Sequence, residues 1–135
     1  MKKLIVFLFL FTIFSSGCTD LQSTSVSPTS ECGVYHINVD EAKALVDSGE
    51  MFILDVRTVS EYDAGHLIGS TLIPVSELHE RLDEIPKDQP LLVYCRSGSR
   101  SRTAAEILEE HGFCVIYNVD GGFSEWQAAG YPYEE

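Results

Sequence analysis

The chain has 135 residues, with nine Lys or Arg against 21 Asp or Glu, so its formal net charge at neutral pH is −12. A chain of this length forms about one domain of ordinary size. The excess of acidic residues argues against a nucleic-acid partner, because binding to the phosphate backbone requires clustered Lys and Arg. We therefore expect one acidic domain that does not bind nucleic acid.

The first 17 residues have the pattern of a secretory signal peptide. Lys2 and Lys3 form a short positive start, and residues 4–14 are apolar except for Thr12. This run is too short for a membrane-spanning helix, which needs about 20 apolar residues. We expect residues 1–17 to be removed on export, which places the protein outside the cytoplasm and lowers its formal net charge from −12 to −14.

Residues 14–18, FSSGC, resemble the lipobox of prokaryotic lipoproteins. In that family a cysteine after small residues is lipidated and becomes the new N-terminus. The resemblance implies that Cys18 carries a lipid that anchors the protein to the cell membrane. The alternatives are a secreted protein cut nearby and a chain tethered by its uncleaved signal.

A tether follows Cys18. Seven of the thirteen residues at 19–31 are Ser or Thr, and no helical or strand period is present. Segments of this composition behave as flexible linkers. We therefore expect residues 18–31 to be the tether and residues 32–135 to be the folded domain.

The folded domain begins with a strand and a helix. A short strand is predicted over 34–37. The following helix begins at Val39, because Asn38 and Glu41 have the spacing of a capping box. Gly49 supplies the end of that helix.

The next elements continue the alternation of strand and helix. Residues 52–56, FILDV, form an apolar strand of the kind that is buried on both faces of a parallel sheet. Thr58 and Glu61 repeat the capping-box spacing and predict a brief helical turn. Another short strand is predicted over 71–74.

A third helix is predicted, with Ser76 as its N-terminal cap and Pro86 as the residue that stops it. It carries Leu78, Leu82 and Ile85 on one face, which is the spacing of an amphipathic helix.

Two further strand–helix pairs complete the domain. Strands are predicted over 91–95 and 114–119, and helices over 101–112 and 124–129. The first of these helices has an inward face formed by Ala104, Ala105, Ile107 and Leu108. Five strands separated by helices predict a single α/β domain built as a three-layer sandwich.

Residues 94–101, YCRSGSRS, are the strongest candidate for a functional site. Cys95 lies at the carboxyl end of a predicted strand, where ligands bind in open α/β sheets. Backbone N–H groups of the following loop and the positive end of the next helix bind anions and lower a cysteine pKa. A buried, inert thiol is the alternative, but it does not account for the glycine turn or for Arg96 and Arg100.

Three ordered motifs identify a family resemblance. They are LDVRTVSEYDAGHLIGSTLIP at 54–74, LLVYCRSGSRS at 91–101 and AAEILEEHGFCVIYNVDGGFSEW at 104–126. From about residue 37 to residue 126 the chain resembles the rhodanese domain family of sulfurtransferases. The resemblance implies a five-stranded parallel sheet with helices on both faces.

The resemblance also implies a nucleophilic reaction without a cofactor. Cys95 would attack the sulfane sulfur of a small anionic donor such as thiosulfate, hold it as a persulfide, and pass it to a thiol or cyanide. The substrate-binding loop would be Arg96, Ser97, Gly98, Ser99 and Arg100. Asp55 and Arg57, with Glu61, fall where the family has charged residues that support the loop.

Two other functions fit parts of the pattern. Cell-cycle phosphatases of the same fold have five residues between cysteine and arginine, whereas four separate Cys95 from Arg100 and six separate it from Arg102. The shorter loop favours sulfur transfer. A polysulfide-sulfur carrier with little turnover would have the same sequence.

The remaining histidines and cysteines have structural interpretations. The four histidines, at 36, 66, 79 and 111, have no ligand spacing, so no metal site is expected. In the rhodanese fold the first strand lies beside the fifth, which would bring Cys32 and Cys114 together. The resemblance thus implies a possible disulfide between them, with two unpaired cysteines as the alternative.

Overall fold

A computed structural model describes residues 31–135, which form one parallel sheet with helices on both faces. The strands are β1 (Gly33–Ile37), β2 (Phe52–Asp55), β3 (Thr71–Leu72), β4 (Leu91–Tyr94) and β5 (Val115–Val119). The α-helices are α1 (Val39–Ser48), α2 (Val59–Asp63), α3 (Ser99–Glu110) and α4 (Gly122–Ala128). The expected signal peptide and Cys18 lie outside the described residues, as does the tether up to residue 30.

The sheet has the order β1-β5-β4-β2-β3, and all its neighbouring strands are parallel. β4 is therefore the central strand, and β1 lies at the edge beside β5, as predicted. Because parallel strands end at the same edge, Asp55 at the end of β2 and Cys95 just after β4 lie on one side of the domain.

Each face of the sheet has its own apolar core. One core contains residues of α1 and α4, and the other contains residues of α3. Side chains along β4 alternate between the two: Leu92 and Tyr94 join the first, and Leu91 and Val93 join the second. This arrangement confirms the predicted three-layer α/β sandwich.

The predicted capping boxes are present at two helix starts. The Asn38 side chain accepts from the N–H groups of Asp40 and Glu41, and the Glu41 carboxylate accepts from the Asn38 N–H at 2.9 Å. Thr58 and Glu61 form the same reciprocal pair at the start of α2. These caps satisfy N–H groups that have no partner within the helix.

The prediction of a single helix between Ser76 and Pro86 is wrong. The chain forms two 3₁₀ helices instead, Val75–Glu80 and Leu82–Glu84. Arg81 separates them with a φ of −124°, which is not helical, and neither has a side-chain cap. Leu78 and Ile85 are still buried, because two short turns also place both side chains against the sheet.

Two helices begin two residues earlier than predicted. α3 starts at Ser99 and α4 at Gly122, each directly after a glycine in the left-handed region. Gly98 has a φ of 102° and Gly121 a φ of 80°. Glycine adopts this conformation without the steric cost of a Cβ, so each helix can begin at the residue directly after the glycine.

Cys32 and Cys114 form a disulfide with a Cα–Cα separation of 4.4 Å. It joins the residue before β1 to the residue before β5.

Among residues 31–135, no helix is both long and apolar enough to span a bilayer.

Candidate active site

Cys95 lies at the start of a tight loop between β4 and α3. Its side chain is buried, with 1% relative exposure, and it is the free cysteine among residues 31–135. The left-handed turn at Gly98 directs the Gly98 N–H toward the sulfur, and the N–Sγ distance is 3.1 Å. The loop thus places a backbone donor on a sulfur that is shielded from bulk water.

Two opposing effects set the pKa of Cys95. Burial raises it, because desolvation disfavours the thiolate. Hydrogen bonds from the Ser101 hydroxyl and from the N–H groups of Ser101, Ser97 and Gly98 lower it, and the net result is a pKa below the ordinary value. The site therefore increases the thiolate fraction near neutral pH, and the thiolate is the nucleophilic form of cysteine.

The start of α4 supports the loop backbone. The Phe123 N–H donates to the Cys95 carbonyl at 2.8 Å, and the Ser124 N–H donates to the Arg96 carbonyl at 3.0 Å. A Cβ on Gly122 would lie 2.8 Å from the carbonyl carbon and oxygen of Arg96. The absence of a side chain at Gly122 thus allows α4 to approach the loop closely.

Asp55 and Arg57 form a buried ion pair beside the loop. Asp55 is fully buried and Arg57 is 3% exposed. Arg57 Nε lies 3.0 Å from both carboxylate oxygens, and Nη2 donates to Oδ2 at 2.7 Å and to the Gly65 carbonyl at 2.6 Å. The guanidinium also lies 4.3 Å from the centre of the Phe123 ring. The pair therefore connects β2, the turn after α2 and the helix that supports the loop.

Arg100 forms a bidentate ion pair with Glu61. Both of its terminal nitrogens donate to the carboxylate at 2.8 Å. The hydrogen bond from Arg100 is the largest cause that lowers the pKa of Glu61, to about 2. The charge of Arg100 is thus balanced by Glu61 in this structure.

Arg96 has a different environment from Arg100 and Arg102, which lie in the first turn of α3. It lines a cavity of about 210 Å³ together with Arg57, Glu61, Phe123 and Ser124. Arg102 contacts Asp120 at 3.4 Å, whereas Arg96 has no ion pair within residues 31–135. Arg96 is therefore the loop cation available to an anion in the cavity.

Of the other predicted loop residues, Ser97 and Gly98 lie in the loop, and their N–H groups lower the pKa of Cys95. Ser99 and Arg100 lie instead in the first turn of α3. The sequence reasoning missed Ser101, which is fully buried and whose hydroxyl and N–H lower the pKa of Cys95. The sequence signal for Ser101 was its position in the first turn of the helix after the cysteine.

Within the part of the chain that the structure describes, no cluster of His, Cys, Asp or Glu could hold a metal ion.

The fold and the loop define a parallel α/β domain with a buried, free cysteine after the central strand and a backbone N–H directed at its sulfur. The model of the rhodanese-like domain family matches residues 38–129. The chain therefore belongs to the rhodanese-like domain family, whose members include sulfurtransferases.

Individual relatives agree with this assignment. The chain is 36% identical over 94 residues to thiosulfate sulfurtransferase GlpE of Pseudoalteromonas translucida, covering 70% of this chain and 90% of that protein. It is 42% identical over 74 residues to the uncharacterized protein YqhL of Bacillus subtilis, covering 55% of this chain but only 59% of that protein. A crystal structure of a rhodanese-related protein from Thermoplasma volcanium superposes with a TM-score of 0.68 at 32% identity, covering 74% of this chain and 97% of that one.

Proposed function

We propose that this protein is an extracytoplasmic sulfurtransferase that moves sulfane sulfur from an anionic donor such as thiosulfate to a thiol or cyanide through a persulfide on Cys95. The observation that carries the proposal is the Cys95 thiol itself, which is buried and accepts the Gly98 N–H at 3.1 Å, with its pKa lowered by hydrogen bonds of the loop. The similarity to thiosulfate sulfurtransferase GlpE supports the same reaction.

The first half-reaction loads the cysteine. The Cys95 thiolate attacks the sulfane sulfur, a new bond forms to Sγ, and the bond to the sulfite sulfur breaks. Sulfite leaves with the electron pair of that bond, so no oxidant or reductant is needed. The N–H groups of the loop are positioned to stabilise the negative sulfur before and after the transfer.

The second half-reaction unloads the cysteine. An acceptor thiolate attacks the outer sulfur of the protonated persulfide, and the bond between the two persulfide sulfurs breaks. The acceptor leaves as a persulfide with the proton, and Cys95 regains its thiolate. Splitting the transfer into two displacements on one nucleophile is the general pattern of covalent catalysis.

The cavity beside Arg96 is our proposed entrance for the donor. Arg57 and Arg100 are each held by a carboxylate, so Arg96 supplies the uncompensated positive charge. An anion of the size of thiosulfate is smaller than the cavity volume of about 210 Å³. We therefore assign the main recognition of donor charge to Arg96, and a supporting role to Arg100.

The proposed location outside the cytoplasm, anchored through a lipid on Cys18, rests on the sequence pattern of residues 1–18. The pairing of Cys32 with Cys114 supports it, because disulfides persist in oxidising compartments.

Steady-state assays on the purified protein test the proposed reaction. We expect turnover with thiosulfate and a thiol or cyanide acceptor, and none in the Cys95→Ser variant. Uptake of sulfur from polysulfide with little turnover on thiosulfate would indicate a carrier instead. Hydrolysis of an aryl phosphate without sulfur transfer would indicate a phosphatase.

A further inference from the structure

Glu61 is an acidic group in the wall of the cavity beside the Cys95 loop. Among residues 31–135, the charged side chains that line this cavity are those of Arg57, Arg96 and Glu61, and Arg100 is not one of them. Glu61 and Arg100 bind each other through two hydrogen bonds of 2.8 Å. An anion in the cavity therefore meets the carboxylate of this ion pair rather than its guanidinium.

The Glu61 carboxylate is held in one position by four donors. Oε2 accepts from the Thr58 N–H at 3.0 Å, from the Thr58 hydroxyl at 2.9 Å and from Arg100 Nη1 at 2.8 Å. Oε1 accepts from Arg100 Nη2 at 2.8 Å. Since the pKa of Glu61 is about 2, the group is ionised at neutral pH. It therefore presents a fixed negative charge to the cavity.

The cavity has one unbalanced positive charge among residues 31–135. Arg57 is paired with Asp55, with 2.7 Å between Nη2 and Oδ2. Arg100 balances Glu61, so Arg96 alone supplies the unbalanced charge. A donor with one negative charge balances Arg96. A donor with two keeps a negative charge next to Glu61 in a partly enclosed site, where like charges repel more strongly than in water.

We propose that Glu61 is a specificity-determining residue of this site, which selects against donors that carry a second negative charge. This inference rests on the sulfurtransferase function proposed above, and it adds a limit on donor charge to the recognition assigned to Arg96. Glu61 acts through the electrostatic potential of the cavity and takes no part in bond making.

Two donors separate the effect of charge from the chemistry. Thiosulfate is a dianion at neutral pH, and methanethiosulfonate is a monoanion. With either donor, the Cys95 thiolate attacks the sulfane sulfur, and the bond from that sulfur to the oxidised sulfur breaks. Sulfite or methanesulfinate then leaves with the electron pair. The intrinsic reactivities of the donors cancel between variants, so a change in their kcat/KM ratio reports the donor charge that the cavity accepts.

A second measurement needs no sulfur transfer. Iodoacetate and iodoacetamide alkylate the same thiolate, but iodoacetate is an anion and iodoacetamide is neutral. The ratio of their rates on Cys95 measures the access of an anion to the sulfur. The thiolate fraction affects both rates equally and cancels in the ratio, which therefore reports the potential of the cavity.

Three substitutions and one control test the proposal. Glu61→Gln removes the charge at nearly constant size, and Glu61→Asp keeps the charge. Arg100→Gln makes the opposite change, because it leaves Glu61 unbalanced. Glu84→Gln is the control, because it changes the net charge as Glu61→Gln does, at a residue that pairs with Arg81 and does not line the cavity.

For Glu61→Gln we expect kcat/KM for thiosulfate to rise by about fivefold relative to methanethiosulfonate, mainly through a lower KM. Alkylation by iodoacetate should become faster by about threefold relative to iodoacetamide, and slower by a similar factor in Arg100→Gln. These changes should shrink in about 0.5 M salt, which screens charges over a few Å. Glu61→Asp and Glu84→Gln should match the wild type in both ratios.

An unchanged alkylation ratio in folded Glu61→Gln would overturn the inference, as would an equal rise in Glu84→Gln or no fall in Arg100→Gln. A lower thiosulfate ratio in Glu61→Gln would also overturn it, since Glu61 would then serve the donor by orienting Arg100.

The alkylation ratio does not depend on sulfur transfer. A wild type that takes up no sulfur from any donor would therefore refute the proposed function, while the alkylation ratio would still decide whether Glu61 controls the access of anions to Cys95.

Discussion

Arg100, in the first turn of α3 after the Cys95 loop, joins Glu61 of α2 through two hydrogen bonds of 2.8 Å. The two residues are 39 positions apart in the sequence and partly exposed, at 34% and 24% of their side-chain areas. Glu61 also accepts from the Thr58 N–H as part of the α2 cap. One carboxylate therefore caps the start of α2 and binds the first turn of α3, which follows the Cys95 loop.

The Glu61 pair should stabilise the protein in a pH-dependent way. The pKa of Glu61 is lowered from 4.5 to about 2 in the folded state. The ion pair therefore stabilises the folded state fully above about pH 4.5, and this stabilisation is lost as the pH falls toward 2. We expect Glu61→Gln to reduce the free energy of unfolding at pH 7 by about 1 kcal/mol, because the pair is partly solvated. Urea unfolding of both proteins at pH 7, 4 and 3 measures the difference.

Glu84→Gln is the matched control, because Glu84 pairs with Arg81 in a similar two-bond geometry on the surface. Its effect at pH 7 should be smaller than that of Glu61→Gln. A Glu61→Gln difference that stays constant from pH 7 to pH 3 would contradict the account of this ion pair.

Gly122→Ala should damage the loop more than an ordinary glycine substitution. The new Cβ would lie 2.8 Å from the Arg96 carbonyl atoms, and the φ of 53° is unfavourable for alanine. We expect a loss of about 2–4 kcal/mol in unfolding free energy, together with weaker sulfur transfer. Gly69→Ala is the control, because Gly69 has a φ of 79° but nothing within 4 Å of its Cβ position. It should cost about 1 kcal/mol and leave sulfur transfer unchanged.

Arg96→Ala should weaken the use of thiosulfate more than the use of a neutral trisulfide. Arg96 lines the cavity without an ion pair in residues 31–135, so its loss removes charge recognition rather than the nucleophile. Comparison of kcat/KM for the two donors measures the effect, and Arg102→Ala, which removes an exposed arginine bound to Asp120, is the control. Equal losses with both donors in Arg96→Ala would assign Arg96 a structural role.

The disulfide between Cys32 and Cys114 should contribute to the stability of the fold but not to sulfur transfer on Cys95. It closes a sequence separation of 82 residues, for which the chain-entropy estimate is about 4 kcal/mol. It lies before β1 and β5, whereas Cys95 follows the carboxyl end of β4. We expect the Cys32→Ser/Cys114→Ser protein to melt at a lower temperature and to load sulfur on Cys95 at 10 °C. An unchanged melting temperature would contradict the stabilising role.

The fold was predictable because local and long-range signals agree in most of the chain. The capping boxes at Asn38 and Thr58 marked two helix starts, and the apolar runs marked the buried strands. Residues 75–84 were not predictable, because the spacing of Leu78 and Ile85 suits one α-helix and two 3₁₀ turns equally well. Packing against the sheet decides between them, and the sequence pattern does not contain that information.

The sequence indicated most of the residues that surround Cys95 but not how their charges pair. The motif around Cys95 identified the loop, and the family resemblance pointed to Asp55 and Arg57. That Arg100 binds Glu61 while Arg96 faces a cavity depends on where α2 lies relative to the loop. Ser101 was missed because a serine in the first turn of a helix is common, and only its burial beside Cys95 distinguishes it.

The most direct test of the central claim is the mass of the peptide that contains Cys95 after incubation with thiosulfate. The account predicts a gain of one sulfur atom, about 32 Da, that a thiol or cyanide removes, and no gain in Cys95→Ser. If Cys95 is reduced and alkylatable yet gains no sulfur from thiosulfate or polysulfide, the protein is not a sulfurtransferase.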